Sequence, residues 1–249
     1  MAEAQVNFAQ KYAEVSQWQF QRGLELIELA APAKGETVVD IGCGTGALAM
    51  ELARRIGPSG RVIAIDPDAE RLAEASAATP PGLRHLSFHQ AGAEDLGLVE
   101  AGSVDLVFSN WVGHWVRDHS VLMREVERML KPGGRFVAEV LGEPPQRLVE
   151  LVSLTPGGAQ LVQGLVYHEE AEWNALIGAH ALDRVLLDWP EVSLGFDSLD
   201  DLYEFIEGSS HGRFQVADVP ENALADLASR NPGPVSYPIK ALRMDLRRR

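Results

Sequence analysis

Apolar runs and amphipathic segments alternate along much of the chain. Five runs have the length and composition of strands, at 38–41, 61–66, 83–90, 104–108 and 135–141. Three segments between them repeat apolar residues every three or four positions, as helices do, at 47–56, 68–78 and 118–130. Largely apolar strands that alternate with helices indicate a parallel sheet covered on both faces. The pattern therefore predicts a doubly wound α/β fold, with Asp68 capping its helix.

Further elements are expected on both sides of this core. Helical segments are predicted at 5–31, 142–182 and 196–235, and two more strands at 184–194 and 238–246. The result is a mostly parallel, seven-stranded sheet whose helical insertions cap one end, where an active site is expected. We predict one domain over 1–249, made of N-terminal helices (1–35), a core (36–141) and C-terminal strands with a helical cap (142–249).

Composition and charge narrow the class of protein. The chain has 249 residues, of which 46% are hydrophobic, so it can bury a substantial core. Its formal net charge of −14 opposes phosphate backbones and anionic lipid, so neither nucleic acid nor a membrane is expected as partner. One cysteine excludes an internal disulfide, and the histidines lack metal-ligand spacing, so no metal is expected. The first residues lack a signal-peptide pattern, which predicts a cytoplasmic protein.

The strongest chemical signal is the segment VVDIGCGTG at 38–46, between a strand and a helix. Glycines at 42, 44 and 46 allow a sharp turn and a close approach of backbone to ligand at a helix N-terminus. Asp66 ends the next strand, where a carboxylate accepts hydrogen bonds from ribose hydroxyls. The loop and Asp66 predict an adenosine-containing cofactor, and both a nicotinamide dinucleotide and S-adenosylmethionine (SAM) satisfy them.

Two carboxylates favour SAM. Asp40 precedes the first glycine by two residues and would oppose the pyrophosphate of a dinucleotide. SAM has no phosphate, and its sulfonium and ammonium groups are both stabilised by a carboxylate. Glu94, after the third strand, adds negative charge on the adenine side.

Five segments in succession resemble the motifs of class I SAM-dependent methyltransferases. They are VVDIGCGTG, VIAIDPD, AGAEDL, DLVFSNWVGHWV and LKPGGRFV, which together cover about residues 36–141. The stretch that begins SNWVGHWVRDH further resembles small-molecule methyltransferases of the trans-aconitate and juvenile-hormone-acid type. The resemblance implies a Rossmann-like methyltransferase fold, SAM as cofactor and a small-molecule methyl acceptor as partner.

The resemblance also assigns residues to the cofactor. The positions are Asp40, Gly42, Cys43, Gly44, Gly46, Asp66, Pro67, Ala93, Glu94 and Asn110. Asp40 would orient the methionine ammonium and Asn110 would face it, Asp66 would bind the ribose, and Pro67 and the Ala93 amide would contact adenine. Many members have aspartate where this chain has Gly92, so either Glu94 replaces that contact or the contact is missing.

The implied reaction is an in-line displacement that methylates a carboxylate or hydroxyl oxygen. A carboxylate acceptor needs no general base, whereas an alcohol, phenol or amine does. His114, after the fourth strand, is the candidate catalytic residue, either as base or as orienting group, with packing as the alternative. Trp115, Tyr12 and Trp18 are candidate acceptor-binding residues, with core packing as the alternative for the last two. His119 is expected at the surface, at the start of a helix.

Two other functions share part of this pattern. A nicotinamide-dependent oxidoreductase would have the same glycine loop and the same Asp66, but not Asp40. A non-catalytic SAM-binding protein would keep every cofactor motif and lack a usable acceptor site.

Overall fold

A computed structural model describes residues 17–249, except His211 and Asn231. Its strands are β1 (Thr37–Ile41), β2 (Arg61–Asp66), β3 (Leu86–Gln90), β4 (Val104–Asn110), β5 (Leu130–Leu141), β6 (Leu182–Asp188), β7 (Glu191–Phe196) and β8 (Val235–Arg248). Its helices are α1 (Gln17–Ala30), α2 (Ala47–Ile56), α3 (Ala69–Ala78), α4 (His119–Met129), α5 (Gln146–Val152), α6 (Pro156–Gln163), α7 (Glu170–Gly178), α8 (Leu199–Ser209) and α9 (Glu221–Arg230). Short 3₁₀ turns lie at Gly113–Trp115 and Val216–Asp218.

The strands form one sheet in the order β3-β2-β1-β4-β5-β8-β6, with β7 paired to β8. The first five are parallel, and β8 runs antiparallel to both β5 and β6. The mostly parallel α/β prediction is therefore confirmed, but the strand count was wrong. The single strand predicted at 184–194 is two strands, β6 and β7, separated by Trp189 and Pro190. Proline lacks the N–H that a continuous ladder requires, which accounts for the break.

Helices cover both faces of the sheet, as the apolar strands predict. Val38 is buried on one face together with Leu52 and Ile56 of α2. The next residue along β1, Val39, points to the other face and shares a core with Met123 of α4. This alternation follows from the period of two in a strand, and it leaves both faces of the sheet covered by helices.

The helices after β2 and β4 begin at aspartates. The Asp68 carboxylate accepts hydrogen bonds from the Glu70 and Arg71 amides at 2.8 and 3.2 Å, so the predicted cap is confirmed. Asp118 caps α4 in the same way. Each cap satisfies helix N–H groups that have no partner within the helix.

The chain divides into two compact units. The sheet unit contains 19–143, 166–191 and 240–249; of the described residues, the second unit contains 17–18, 144–165 and 192–239. In the second unit, the ring of Phe205 lies 5.8 Å from that of Trp18 and 5.3 Å from that of Phe196.

The predicted insertion 142–182 is not one segment. Its later part, with α7, belongs to the sheet unit, where Trp173 and Ile177 are buried in the core. That a helical cap covers the active site stays a prediction. None of the described helices is both long and apolar enough to cross a membrane.

Candidate functional site

The candidate site lies where β1, β2 and β4 end. Ile41 is paired with Ile65 on one side and with Ser109 on the other, so the residues that follow these three positions emerge at one edge of the sheet. Ligands of open α/β sheets bind at this carboxyl edge. The glycine loop, Asp66 and Asn110 are all brought there, as the sequence predicted.

The three glycines of the loop have different roles. Gly42, Gly44 and Gly46 have φ angles of +74°, +55° and +80°, in the left-handed region that favours glycine. A Cβ atom on Gly42 would overlap the side chain of Val112, and one on Gly46 would lie 2.9 Å from the Phe88 ring. A Cβ on Gly44 would meet no atom within 4 Å. Packing therefore leaves no room for a side chain at positions 42 and 46, whereas Gly44 borders open space.

Asp66 joins the loop to the start of α3. Its Oδ2 accepts a hydrogen bond from the Gly44 amide at 2.9 Å, and its Oδ1 accepts one from the Asp68 amide at 2.9 Å. Each carboxylate oxygen has a further lone pair. The side chain can therefore hold the loop and still accept hydroxyl groups of a ligand.

Asp40 is a buried carboxylate with an unsatisfied oxygen. It is 2% exposed, and among the described residues its Oδ2 has no hydrogen-bond partner. Burial, reinforced by the negative charge of Asp66, raises the pKa of Asp40 to about 7. A buried acceptor of this kind is costly unless a donor or a cation satisfies it.

Asn110 presents a second unsatisfied acceptor at the end of β4. Its Nδ2 donates to the Gln19 carbonyl at 3.2 Å, which fixes the orientation of the amide. Its Oδ1 is buried and accepts no hydrogen bond from the described part of the chain. Asp40 and Asn110 thus offer two oxygens that match an ammonium group, the chemistry expected of the methionine end of SAM.

His114 lies in the 3₁₀ turn after β4. The turn is fixed by a hydrogen bond from the Val166 amide to the His114 carbonyl at 3.0 Å. The imidazole is 8% exposed, and its Nδ1 has no partner in the described structure. Burial, and secondarily the nearby His119, lowers the pKa of His114 to about 3, so the ring is neutral at pH 7. Trp115 is 36% exposed, with its ring 5.3 Å from that of His114.

The remaining cofactor positions lie in the loops beyond β1, β2 and β3. Cys43 is partly buried, and burial raises the pKa of its thiol well above the usual value, so it is no thiolate nucleophile. Pro67 is exposed and Ala93 partly buried. Glu94 is also exposed, and its Oε1 accepts a hydrogen bond from the Asp118 amide at 2.7 Å. Its expected contribution to adenine binding stays a prediction.

The predicted acceptor residues are less well defined. Tyr12 lies outside the described residues. Trp18 belongs to the second unit, where it packs against Phe205. Their roles in acceptor binding stay predictions.

His119 differs from expectation. Instead of lying at the surface, it is 3% exposed, and its Nδ1 is 3.1 Å from Nε2 of His168. Its ring packs edge-on against Trp173 at 4.8 Å. The sequence placed His119 correctly at a helix start, but only the tertiary packing of α7 shows that this position is covered. No group of three or more potential metal-binding side chains occurs within the described ranges.

Comparison with known proteins agrees with this geometry. Residues 39–138 match the family model described as "Methyltransferase domain". The chain is 39% identical over 103 residues to trans-aconitate 2-methyltransferase of Deinococcus radiodurans, an alignment that spans 41% of this chain and 37% of that enzyme. It is 30% identical over 195 residues to aklanonic acid methyltransferase DauC of Streptomyces sp. strain C5, covering 78% of this chain and 82% of the enzyme.

Solved structures share the fold. The YcgJ protein of Bacillus subtilis superposes with a TM-score of 0.66 at 20% identity, over 92% of this chain and 99% of that one. Geranyl diphosphate methyltransferase in complex with SAM gives a TM-score of 0.61 at 18% identity, over 97% and 90% of the two chains. The cofactor is SAM, and the chain belongs to the class I SAM-dependent methyltransferases.

Proposed function

We propose that this protein transfers the methyl group of SAM to an oxygen atom of a small-molecule acceptor. The observation that carries the proposal is the pair of buried, unsatisfied oxygens on Asp40 and Asn110, at strand ends next to a glycine that borders open space. A dinucleotide would place its pyrophosphate at the glycine loop, where Asp40 would oppose it. The ammonium and sulfonium groups of SAM are favoured there instead.

The residues of the sheet edge have separate tasks in this proposal. Asp40 and Asn110 hold the ammonium, Gly44 lets the backbone approach, and Asp66 accepts the ribose hydroxyls. When bound, SAM would supply an electrophilic methyl group: a bond from the acceptor oxygen to the methyl carbon would form as the carbon–sulfur bond breaks, and the sulfur would keep the electron pair in S-adenosylhomocysteine. The protein contributes mainly by aligning the two reactants and excluding water.

We infer that His114 orients the acceptor. Its ring is neutral through the physiological range because its pKa is about 3, so it is a weak base. A neutral imidazole donates one hydrogen bond, which suits an acceptor oxygen. The names of the trans-aconitate and aklanonic acid enzymes both denote acids. A carboxylate oxygen, which needs no base, is therefore the first acceptor class to test, and a hydroxyl oxygen the second.

Replacing His114 by alanine tests this role. The orienting role predicts a higher acceptor KM with kcat lowered less than about tenfold, because one hydrogen bond to the acceptor is lost. Steady-state kinetics of wild type and variant, between pH 6 and 8.5, would measure both constants. A wild-type kcat that rises with a histidine-like pKa, and a variant kcat lower by 10²-fold or more, would establish a general base instead.

Replacing Asp66 by alanine tests the ribose assignment. We expect SAM affinity to fall about 10- to 100-fold, because charge-assisted hydrogen bonds are worth about 1.5–3 kcal/mol. Stability should also fall, since the Gly44 and Asp68 amides lose their acceptor. Calorimetric titration with S-adenosylhomocysteine (SAH) measures the affinity. A folded variant with unchanged SAH affinity would refute the assignment.

Methyl transfer itself is tested with an acceptor panel. The protein is incubated with methyl-labelled SAM and small carboxylic acids, phenols, alcohols and amines, and products are identified by mass spectrometry. Label in an ester or ether, reduced with Asp66→Ala when SAM is well below saturation for the variant, supports the proposal. Intact SAH binding without label transfer to any class would favour the alternative of a non-catalytic SAM-binding protein.

A further inference from the structure

A buried ion pair lies beside the cofactor edge. Glu139, near the end of β5, has a carboxylate that is 1% exposed. It accepts hydrogen bonds from Nε and Nη2 of Arg22 in α1, at 3.1 and 2.5 Å. Burial raises the pKa of Glu139 above its usual value, and the Arg22 charge acts against this shift. A buried carboxylate that loses such a partner is destabilised, so this pair helps to hold α1, together with the buried Leu26 and Ile27 of the same helix.

The same helix is tied to Asn110. Gln19 and Arg22 are three residues apart and therefore lie on one face of α1. The main-chain carbonyl of Gln19 accepts a hydrogen bond from Nδ2 of Asn110, while the Arg22 side chain donates to the Glu139 carboxylate. Asn110 and Glu139 are paired with each other across β4 and β5. One face of one helix thus contacts two adjacent positions at the strand ends.

The turn after Asn110 is held by the same residue of β5. Trp111 has a φ angle of +60°, which is strained for a bulky side chain. Its amide donates to the Glu139 carbonyl at 2.6 Å. Glu139 therefore restrains the backbone after Asn110 through its carbonyl, and α1 through its carboxylate.

We propose that Arg22 and Glu139 are positioning residues for cofactor binding, because they hold α1 where the Gln19 carbonyl orients the Asn110 amide. The terminal torsion of an asparagine is broad, so the amide turns easily when its partner moves. With α1 seated, Nδ2 is engaged and Oδ1 is left as the acceptor for the ammonium. The inference rests on the proposed function, which assigns Asn110 to that group.

The chain contains a matched control pair. Glu36, just before β1, receives hydrogen bonds from Nη1 and Nη2 of Arg135, both at 2.8 Å. This pair is also bidentate and largely buried, and it also ends on β5. It lies at the amino end of the strands, away from the carboxyl edge. Arg135 also donates to the Ala30 carbonyl at 2.7 Å, at the C-terminal end of α1, so the control contacts the same helix at the end away from Gln19. Glu36→Gln should therefore lower stability as Glu139→Gln does, without the same effect on cofactor affinity.

The test measures SAH affinity by calorimetry and stability by thermal unfolding. The variants are Arg22→Met, Arg22→Lys, Glu139→Gln, Glu36→Gln, Asn110→Ala and the double variant Arg22→Met/Asn110→Ala. We expect Arg22→Met and Glu139→Gln to weaken SAH binding at least about fivefold, Arg22→Lys less, and Glu36→Gln less than twofold. The double variant should bind no worse than Asn110→Ala alone, because the pair acts through Asn110.

The outcomes separate the two claims. If Asn110→Ala weakens binding but Arg22→Met, Arg22→Lys and Glu139→Gln behave like Glu36→Gln, the positioning role is wrong and the proposed function stands. The positioning role would also be wrong if the loss of SAH affinity in the double variant equalled the product of the losses in Arg22→Met and Asn110→Ala. If Asn110→Ala leaves SAH affinity unchanged, the assignment of Asn110 in the proposed function fails.

Discussion

Replacing Asp40 by asparagine is expected to weaken SAH binding and to stabilise the unliganded protein. Asparagine cannot supply the buried negative charge that balances the ammonium, so affinity at pH 8 should fall about 10- to 100-fold. Stability should rise by up to about 4 kcal/mol at pH 8, because a carboxylate whose pKa is raised from 3.8 to about 7 is costly to ionise in the folded state. Residues that bind a ligand commonly lower the stability of the unliganded protein in this way.

The same carboxylate predicts a pH dependence. The folded protein retains a proton on Asp40 between pH 4 and 7, whereas the unfolded chain does not, so this group's contribution to stability decreases as pH rises through that window. Binding of a cation favours the ionised form and releases the proton. SAH affinity should therefore be about tenfold weaker at pH 6 than at pH 8 in the wild type, and nearly independent of pH in Asp40→Asn.

Calorimetry in buffers of different ionisation enthalpy measures this proton release directly. Asp95→Asn, which removes an exposed carboxylate, is the matched control and should retain the wild-type pH dependence. Equal SAH affinity of wild type and Asp40→Asn at pH 8, with no proton released by either, would contradict the role of Asp40.

Gly42→Ala is expected mainly to lower the stability of the protein, whereas Gly44→Ala is expected mainly to lower its affinity for SAH. Both positions have positive φ, which costs an alanine about 1–2 kcal/mol. At Gly42 the added methyl group also overlaps Val112, so the total loss of stability should be roughly 2–5 kcal/mol. At Gly44 the methyl group enters open space, so stability should fall only by the backbone term. There it would occupy space needed by the cofactor, and SAH affinity should fall at least about tenfold.

Thermal unfolding and SAH titration of the two variants separate these effects. Val112→Ala is the partner substitution, and it should recover part of the stability of Gly42→Ala but nothing in Gly44→Ala. If Gly44→Ala bound SAH as tightly as the wild type, the open space beside Gly44 would not be where the cofactor lies.

The predicted elements were correct where the local pattern of apolar residues matches the burial found in the structure. α2 begins and ends at the predicted residues because its apolar stripe, the preceding glycine and the following glycine coincide. The 184–194 strand was misjudged because apolar residues on both sides of Pro190 hide the break in hydrogen bonding. The extent of the 142–182 insertion could not be predicted either. α7 packs on the sheet because Trp173 contacts core residues that are distant in the sequence, and a local pattern does not show such contacts.

In the candidate site too, some residues were predictable from the sequence and others were not. Asp40, Asp66 and the glycines were predictable because a βα turn fixes where their backbone lies. Arg22 and Glu139 were missed, since their contact joins residues 117 positions apart and neither belongs to a motif. The one available signal was a glutamate inside the apolar strand at 135–141, since a charge there needs a buried partner. The neutrality of His114 likewise follows from burial that the sequence does not show.

A crystal structure of the protein with bound SAH tests the central claim most directly. We expect the ammonium nitrogen within hydrogen-bond distance of Asn110 Oδ1 and joined to Asp40 Oδ2, directly or through one water. We also expect the ribose hydroxyls on Asp66 and the backbone of Gly44 beneath the ligand. SAH bound with its amino-acid end away from both Asp40 and Asn110, or bound elsewhere on the chain, would contradict the account.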